Sequence, residues 1–362
     1  MRLAAKRYFT ENYAAARQAF LAAAHHAGAG IASWQNPAPG QTRELLTDVA
    51  SLGPPGAENM LVLISGTHGV EGFGGSAVQV GLLREGIADR LGENVGMVMV
   101  HALNPYGFAC LRRTNEDNVD LNRNFIDHSA PYPENRAYDR LAGVIAPDSM
   151  SVAAHSTAML RLLGYRLRNG NAGLQQAVTR GQYSQPQGLF YGGRFATWSN
   201  RTLHEIAARY LAGSARVVVI DVHTGLGAYG HGELILNVPC GHPAYLRAVN
   251  WWGGTRVRSA ASGESVSADL CGTLNRAVDG MLPDAEVTAA GLEFGTLPPM
   301  AVFRALRLEN WQYHHGQSGQ TGEAKVKQRL LRAFYPDDDR WKSRVWEQGS
   351  LVVGQALTAL SR

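Results

Sequence analysis

The sequence is poor in cysteine, and this limits the classes of protein to which it can belong. Only three cysteines occur in 362 residues, namely Cys110, Cys240 and Cys271. Their odd number and wide spacing argue against a disulfide framework and against a cysteine-based zinc site. We therefore expect a protein of a reducing, cytoplasmic compartment.

Long apolar runs and clusters of like charge are also missing. No window is long and apolar enough to span a membrane, and the first twenty residues carry charges throughout, unlike a secretory signal. The formal net charge is +4, and the lysines and arginines are scattered along the chain. These features predict neither a membrane nor a nucleic acid as partner, and they do not indicate an oligomeric state.

The composition is that of a globular protein, with 45% hydrophobic residues, 18% charged residues and 41 glycines. Short apolar runs that are bounded by Gly, Asn or Pro predict buried strands, and helical patterns lie between them. The clearest of these strands are Met60–Ser65, Met97–Leu103, Ala215–Val222 and Val287–Phe294.

Strands that alternate with helices predict a three-layer α/β/α fold with a central mixed, mostly parallel sheet. No internal repeat or change of composition divides the chain. We therefore expect a single domain over residues 1–362, with helical additions at about 1–35 and 300–362. In such folds the functional sites lie at the carboxyl ends of the strands.

Four polar residues follow the predicted strands closely. His68 and Glu71 come after the first strand, His223 follows the third, and Glu293 lies near the end of the fourth. If these strands are parallel neighbours, the four side chains meet at one edge of the sheet. Two histidines and a carboxylate form a known ligand set for catalytic zinc, which leaves a fourth position open for water.

Each of these residues also has a simpler interpretation when it is taken alone. His223 can be a buried structural histidine and Glu293 an ordinary acid at a strand end. The glycines of "SGTHGVEGFGG", residues 65–75, can form a turn. Their spacing does not fit a phosphate-binding loop or a dinucleotide fingerprint, so we discard a nucleotide site.

The segment "NPYGFACLRRTNEDNVDLNRNF", residues 104–125, adds a second group of functional residue types. Arg113 and Arg123 can bind carboxylates and oxyanions through two parallel hydrogen bonds, and the amide of Asn122 lies beside Arg123. Surface arginines in a solvated loop would be the simpler explanation. That explanation does not account for the order Asp120-Leu121-Asn122-Arg123.

In this order of motifs the chain resembles the zinc carboxypeptidase clan. The clan includes carboxypeptidases A and B, the cytosolic carboxypeptidases, and the aspartoacylase and succinylglutamate desuccinylase branch. The similarity runs from about Met60 to Phe294 and is greatest to bacterial proteins known only as carboxypeptidase-like. The motifs are His68-x-x-Glu71, Asn104-Pro105-x-Gly107, Arg113, Asp120-Leu121-Asn122-Arg123, Asp221-x-His223 and Glu293.

The resemblance implies one zinc ion per chain, with His68, Glu71 and His223 as its ligands. It further implies that Glu293 is the general base and acid of a hydrolytic reaction. The arginine that polarises the scissile carbonyl would be Arg113.

Spacing favours Arg113 over the adjacent Arg112 for that role, because Arg113 lies nine positions before Asn122. The resemblance implies that Asn122 and Arg123 bind a substrate carboxylate. Asp120 matches the acid that orients the first zinc histidine, a partner that metal-bound imidazoles usually need.

The chain also departs from the digestive members of the clan. Those enzymes close over the substrate with a tyrosine that precedes the catalytic glutamate, whereas Ala261–Gly280 contains no tyrosine. The segment between Phe125 and the predicted strand before His223 is also long. Its residues Tyr191, Arg194 and Trp198 either shape the pocket or serve packing.

The implied function is that of a zinc-dependent hydrolase of the carboxypeptidase type, which cleaves an amide bond next to a free carboxylate. The substrate would be a small peptide or, as in the aspartoacylase branch, an N-acyl amino acid. A pocket open to a chain end favours the peptide, and a pocket capped by inserted segments favours the N-acyl amino acid. A non-catalytic binding protein on the same fold is a further hypothesis, against which the presence of both Glu293 and Arg113 argues.

Overall fold

The computed structural model describes residues 5–38, 44–316 and 321–362. Within these residues eight strands form one sheet. In chain order the strands are β1 (Gly30–Gln35), β2 (Leu46–Leu52), β3 (Asn59–Ile64), β4 (Val95–His101), β5 (Arg216–Tyr229), β6 (Gly232–Leu236), β7 (Val257–Ser259) and β8 (Glu286–Gly295).

The spatial order of the strands is β1-β2-β4-β3-β5-β8-β6-β7. The four central strands β4, β3, β5 and β8 run parallel, as do β6 and β7, while the β1–β2, β2–β4 and β6–β8 pairs are antiparallel. The expected mixed, mostly parallel sheet is therefore confirmed.

Helices cover both faces of this sheet. They are α1 (Tyr13–His26), α2 (Gly72–Arg84), α3 (Pro105–Ala109), α4 (Arg136–Ile145), α5 (Val152–Thr179), α6 (Trp198–Tyr210), α7 (Pro243–Trp252), α8 (Leu274–Met281), α9 (Pro299–His315), α10 (Thr321–Phe334) and α11 (Asp339–Leu360). In the described parts of the chain, none of them combines the length and the apolar character that crossing a membrane requires.

Alternation along the central strands creates two separate cores. On one face, Leu61 and Leu63 of β3 pack with residues of α2 and α11. On the other face, Val62 and Ile64 pack with residues of α6 and α8. Because successive side chains of a strand point to opposite faces, a continuous apolar run is what a sheet covered on both sides requires. The three-layer α/β/α fold is thus confirmed.

The structure corrects the prediction for the N-terminal segment. A helical addition was expected at about residues 1–35; among the described residues of this segment, α1 and a short 3-10 helix, Lys6–Tyr8, are helical. Gly30–Gln35 forms the edge strand β1 and pairs with β2 from Gly30↔Ser51 to Gln35↔Leu46. Pairing with β2 determines the strand conformation of this segment, since a short edge segment has no strong periodicity of its own. The helices α9, α10 and α11 lie within about 300–362, the second segment for which a helical addition was expected.

The register of the central strands brings the predicted site together. Ile64, at the end of β3, is paired with Asp221 of β5, and His223 of β5 is paired with Glu293 of β8. The carboxyl ends of three parallel strands therefore meet at one edge of the sheet, as sites on such sheets require.

Candidate metal centre

A sharp turn after β3 carries the first two candidate ligands. Gly66 adopts a φ of +66°, a conformation that residues with a Cβ atom rarely adopt. Gly69 lies so close to α3 that a Cβ atom on it would be 1.9 Å from the carbonyl carbon of Gly107. The glycines of this segment therefore provide room for a tight backbone, which aims His68 and Glu71 at the end of β5.

His68, Glu71 and His223 form a buried group that could hold a metal ion. One ligand atom from each residue lies within 4.8 Å of the others, and the residues are 4%, 2% and 5% exposed. Glu71 lies between the two imidazoles, with Oε1 3.1 Å from His68 Nδ1 and Oε2 3.0 Å from His223 Nδ1. The structure thus brings together the three residues that the sequence predicted as ligands.

A carboxylate behind each imidazole fixes which ring nitrogen faces the candidate centre. Asp120 Oδ1 lies 2.9 Å from His68 Nε2, and Asp221 Oδ2 lies 2.7 Å from His223 Nε2. Arg113 Nη2 and Asn122 Nδ2 also approach these nitrogens, at 2.9 Å from His68 Nε2 and 3.3 Å from His223 Nε2. Because an ionised carboxylate only accepts hydrogen bonds, a cation bound in the centre would leave the proton of each ring on Nε2 and take the lone pair of Nδ1.

This arrangement fits a divalent cation. His68 Nδ1 is buried and has no hydrogen-bond partner among the described residues. Burial lowers the pKa of His223, but Asp221 and Glu71 outweigh it and raise this pKa well above its ordinary value. A divalent cation bound between the imidazoles and Glu71 would take the place of the proton that this raised pKa favours. The donor set of two nitrogens and one carboxylate is one that proteins use for catalytic zinc.

Asp120 lies behind His68, as the resemblance implied. Its Oδ2 accepts a hydrogen bond of 3.0 Å from Arg113 Nε, and its Oδ1 accepts one of 3.1 Å from the backbone N–H of Asn122. Burial raises the pKa of Asp120, but Arg113 and Arg123 outweigh it and hold the pKa well below its ordinary value. The carboxylate therefore stays ionised and keeps the His68 ring oriented.

Asp221 lies at the candidate centre, and its contact with His223 was not predicted from the sequence. It holds His223 as Asp120 holds His68, and its other oxygen accepts a hydrogen bond of 2.8 Å from Thr67 Oγ1. The spacing contained the signal: residues two apart on a strand point to the same face. An acid two positions before a candidate ligand histidine on a strand therefore predicts a contact between them.

The adjacent arginines 112 and 113 point in different directions. Arg113 donates from Nη1 to Glu71 Oε1 at 2.8 Å and lies against Asp120, so its positive charge is next to the candidate ligands. Arg112 is buried instead against Glu309, at 2.8 Å, and over the ring of Tyr313, at 3.3 Å. The structure thus places Arg113, which the spacing favoured, at the candidate centre.

The charge balance around Glu71 favours its ionised form. Burial raises the pKa of Glu71, but His68, His223 and Arg113 outweigh it and lower the pKa below the ordinary value. The backbone N–H of Thr224 donates a further hydrogen bond of 3.1 Å to Oε2. Glu71 is thus held as a carboxylate, the form that binds a metal ion.

Glu293 provides a second carboxyl group beside the candidate ligands. It is paired with His223 across β5 and β8, and its Oε1 accepts a hydrogen bond of 2.9 Å from the backbone N–H of Leu226. Burial and the nearby charge of Glu71 raise the pKa of Glu293 to about 8. The two carboxyl groups therefore differ in character, since Glu71 is held ionised while Glu293 readily takes up a proton.

The polar side-chain atoms of Asn122 and Arg123 form hydrogen bonds with other residues of the protein. Asn122 Oδ1 accepts a hydrogen bond of 2.9 Å from the backbone N–H of Leu274. Arg123 is 1% exposed and donates from Nε to the carbonyl of Thr179, at 3.0 Å, and from Nη1 to that of Asn122, at 2.9 Å. Thr179 is the last residue of α5, so the inserted helix covers the arginine. Binding of a substrate carboxylate by this pair stays a prediction.

Of the three residues singled out in the inserted segment, Tyr191 contacts the loop that carries Asp120. Its carbonyl accepts a hydrogen bond of 2.8 Å from the backbone N–H of Asp120, and its side chain is buried. Arg194 is exposed, and Trp198 begins α6. For Tyr191 the contact favours a packing role, since its backbone supports the loop that carries Asp120.

Solved structures similar to this chain include two carboxypeptidases and a succinylglutamate desuccinylase. Carboxypeptidase A from Helicoverpa armigera is 14% identical, over 88% of this chain and 72% of the other, with a TM-score of 0.44. A succinylglutamate desuccinylase from Chromobacterium violaceum is 18% identical, over 88% and 74%, with a TM-score of 0.39. A metallo-carboxypeptidase from Burkholderia cenocepacia is 12% identical, over 92% and 68%, with a TM-score of 0.43.

No curated protein matches the chain significantly in sequence. A family model described as "Protein of unknown function (DUF2817)" matches residues 9–348. Because this match spans most of the sequence, the chain belongs to the DUF2817 family.

Proposed function

We propose that this protein is a zinc-dependent hydrolase of the carboxypeptidase type, which cleaves an amide bond next to a free carboxylate. The observation that carries the proposal is the convergence of His68 Nδ1, His223 Nδ1 and the Glu71 carboxylate in a buried centre. Two imidazoles and one carboxylate favour zinc over calcium or magnesium, which prefer oxygen ligands only.

A zinc ion bound there supplies positive charge that acidifies a water molecule and polarises a carbonyl group. In this proposal Glu293 takes the proton from the attacking water and later delivers it to the leaving nitrogen. Its pKa of about 8, which burial and Glu71 cause, supports the second half of that role, since a carboxyl group must hold the proton long enough to donate it.

Arg113 serves in this proposal to stabilise the negative charge that develops on the scissile carbonyl oxygen. Its guanidinium lies against Glu71 and Asp120, with a side chain that is 15% exposed. A fixed cation in a buried site stabilises an oxyanion more strongly than the same cation does in water. Arg112 cannot substitute for it, because Glu309 and Asn118 hold its guanidinium elsewhere.

The substrate carboxylate is assigned to Asn122 and Arg123 in this proposal. The end of α5 covers Arg123, and this favours a small substrate rather than the end of a long peptide. An N-acyl amino acid is therefore the second candidate substrate class, and it is the one that the covered arginine supports. Its carboxylate would have to displace the carbonyl of Thr179 from the guanidinium.

A hydrolysis screen of the zinc-loaded protein tests this proposal. The panel consists of short peptides with a free C-terminus, the same peptides amidated, and N-acyl amino acids, and Glu293→Gln is the inactive control. We expect turnover only of substrates with a free carboxylate, and the best turnover of N-acyl amino acids. Equal turnover by Glu293→Gln would remove the glutamate from its role.

A further inference from the structure

A row of exposed apolar side chains runs along the first part of α5, which ends at Gly170, where a φ of +74° and a ψ of 175° interrupt the helix. Val152, Leu160, Leu163 and Leu167 are 85%, 68%, 41% and 77% exposed. At about 3.6 residues per turn they fall within an arc of about 80°, and the row is about 22 Å long. We name these four side chains the α5 stripe.

The opposite side of the same helix is packed on the protein. Ala158 and Leu162 are each 4% exposed and belong to one small core with Val144, while Phe303 of α9 packs against it. The helix therefore has two apolar faces, one buried in the fold and one pointing away from it. Exposed apolar side chains that share one arc of a helix mark an interaction site more often than scattered single residues do.

The charges of α5 are of one sign. The helix contains Arg161, Arg166 and Arg168, all exposed, and no aspartate or glutamate. Around the helix, Arg166 lies on one side of the stripe, while Arg161 and Arg168 lie on the other. None of the three makes an ion pair within residues 5–38, 44–316 and 321–362.

We propose that the α5 stripe docks on an anionic phospholipid surface. The leucines would enter the boundary between headgroups and acyl chains. The arginines on both sides would extend their aliphatic stems along the helix and place their guanidinium groups at the phosphates. Because α5 contains no aspartate or glutamate, it carries no negative charge that an anionic surface would repel.

A second copy of the chain is a poorer partner for this surface. Packing two stripes together would bring six arginines of like charge around one apolar contact, with no carboxylate of α5 to balance them. The sequence predicted no membrane partner, since it contains no segment long and apolar enough to span a bilayer. An interfacial helix lies on the bilayer and needs no such segment.

Co-sedimentation with vesicles tests the proposal, and it needs no substrate or metal. One set of vesicles is made of phosphatidylcholine alone, and the other of phosphatidylcholine and phosphatidylglycerol in equal parts. We expect the full chain to bind the second set and to be released by high salt. The combined variant Arg161→Gln, Arg166→Gln and Arg168→Gln should weaken that binding at least about tenfold.

The apolar part of the stripe is tested by Leu160→Ser combined with Leu167→Ser. The matched control is Leu246→Ser combined with Leu351→Ser, which alters two leucines that are 57% and 49% exposed on α7 and α11. The stripe variant should lose binding to the anionic vesicles while the control keeps it, with both as stable to heat as the native chain. Equal binding by the two variants would overturn the proposal. So would the absence of vesicle binding together with self-association that depends on Leu160.

Discussion

Asp221 and His223 lie two residues apart on β5, and Asp221 Oδ2 is 2.7 Å from His223 Nε2. This contact turns the other nitrogen of the ring, Nδ1, towards Glu71. Asp120 does the same for His68 from a different part of the chain. Both imidazoles are thus oriented by buried carboxylates.

The first prediction concerns this orientation. Asp221→Asn replaces an acceptor by a group that can also donate, so His223 loses its fixed tautomer. We expect zinc affinity to fall roughly 10- to 100-fold, as is typical when a partner of a ligand histidine is removed. Competition with a chelator measures it, with Asp89→Asn as the control on the surface turn Ile87–Arg90. Unchanged affinity would show that Asp221 does not orient the ligand.

The second prediction separates catalysis from metal binding. Glu293→Gln keeps the shape of the side chain but removes the group that accepts and donates the proton. We expect turnover to fall by about 100-fold or more while one zinc per chain is retained. Metal analysis and hydrolysis of the best substrate from the screen measure both quantities on the same sample. A variant that loses its zinc would instead make Glu293 a ligand.

The third prediction distinguishes the adjacent arginines 112 and 113. Arg112→Met breaks a buried ion pair with Glu309, which we expect to lower the free energy of unfolding by about 3 kcal/mol. The metal-loaded folded protein should keep its turnover. Arg113→Met should instead lower kcat strongly in metal-loaded protein. The opposite pattern, with turnover lost in Arg112→Met alone, would exchange the two assignments.

The fourth prediction concerns pH and a histidine outside the candidate centre. Burial lowers the pKa of His101 to about 4 from an ordinary value of 6.5. The unfolded chain therefore takes up this proton more readily than the folded one. The stability that neutral His101 contributes is complete above pH 6.5. It is lost as the pH falls to about 4, by about 3 kcal/mol in total.

Denaturant unfolding over this pH range measures the effect. The His101→Asn variant should be less stable at neutral pH, because it disturbs the stacking on Phe20 and the contact with Ser76. Its further loss of stability on acidification should be smaller than that of the native chain. Parallel pH profiles for the two proteins would assign the acid sensitivity to other groups.

The fifth prediction tests the close approach of the ligand turn to α3. A Cβ atom on Gly69 would meet the backbone of Gly107, which cannot move without shifting the turn that carries His68 and Glu71. We expect Gly69→Ala to reduce both stability and zinc affinity. Gly164→Ala, in α5 with open space around it, is the control and should be neutral or stabilising by up to about 1 kcal/mol. Normal zinc binding by Gly69→Ala would show that the turn tolerates displacement.

Much of the fold could be predicted because the central strands are apolar on both faces. The runs around Leu61, Met97 and Val218 have no other stable place than the middle of a covered sheet. The metal-ligand candidates could be predicted because each comes soon after the apolar run of such a strand, and His223 lies on the strand itself. The edge strand β1 could not be predicted from the sequence, since its conformation depends on pairing with β2.

The surroundings of Arg123 and the direction of the α5 stripe could not be predicted either. The carbonyl that covers Arg123 belongs to Thr179, 56 residues further along the chain. The sequence around Arg123 gives no indication of that contact. The leucines of α5 have helical spacing whether they face the core or the solvent. Periodicity identifies a face of a helix, but only tertiary packing decides what that face meets.

The central claim is that His68, Glu71 and His223 hold the metal ion on which hydrolysis depends. The most direct measurement is a titration of zinc into metal-free protein while hydrolysis is followed in parallel. We predict that turnover rises until about one zinc per chain is bound and then stays constant, and that His68→Ala neither binds this zinc nor turns over. Turnover by metal-free protein, or equal zinc binding by His68→Ala, would contradict the claim.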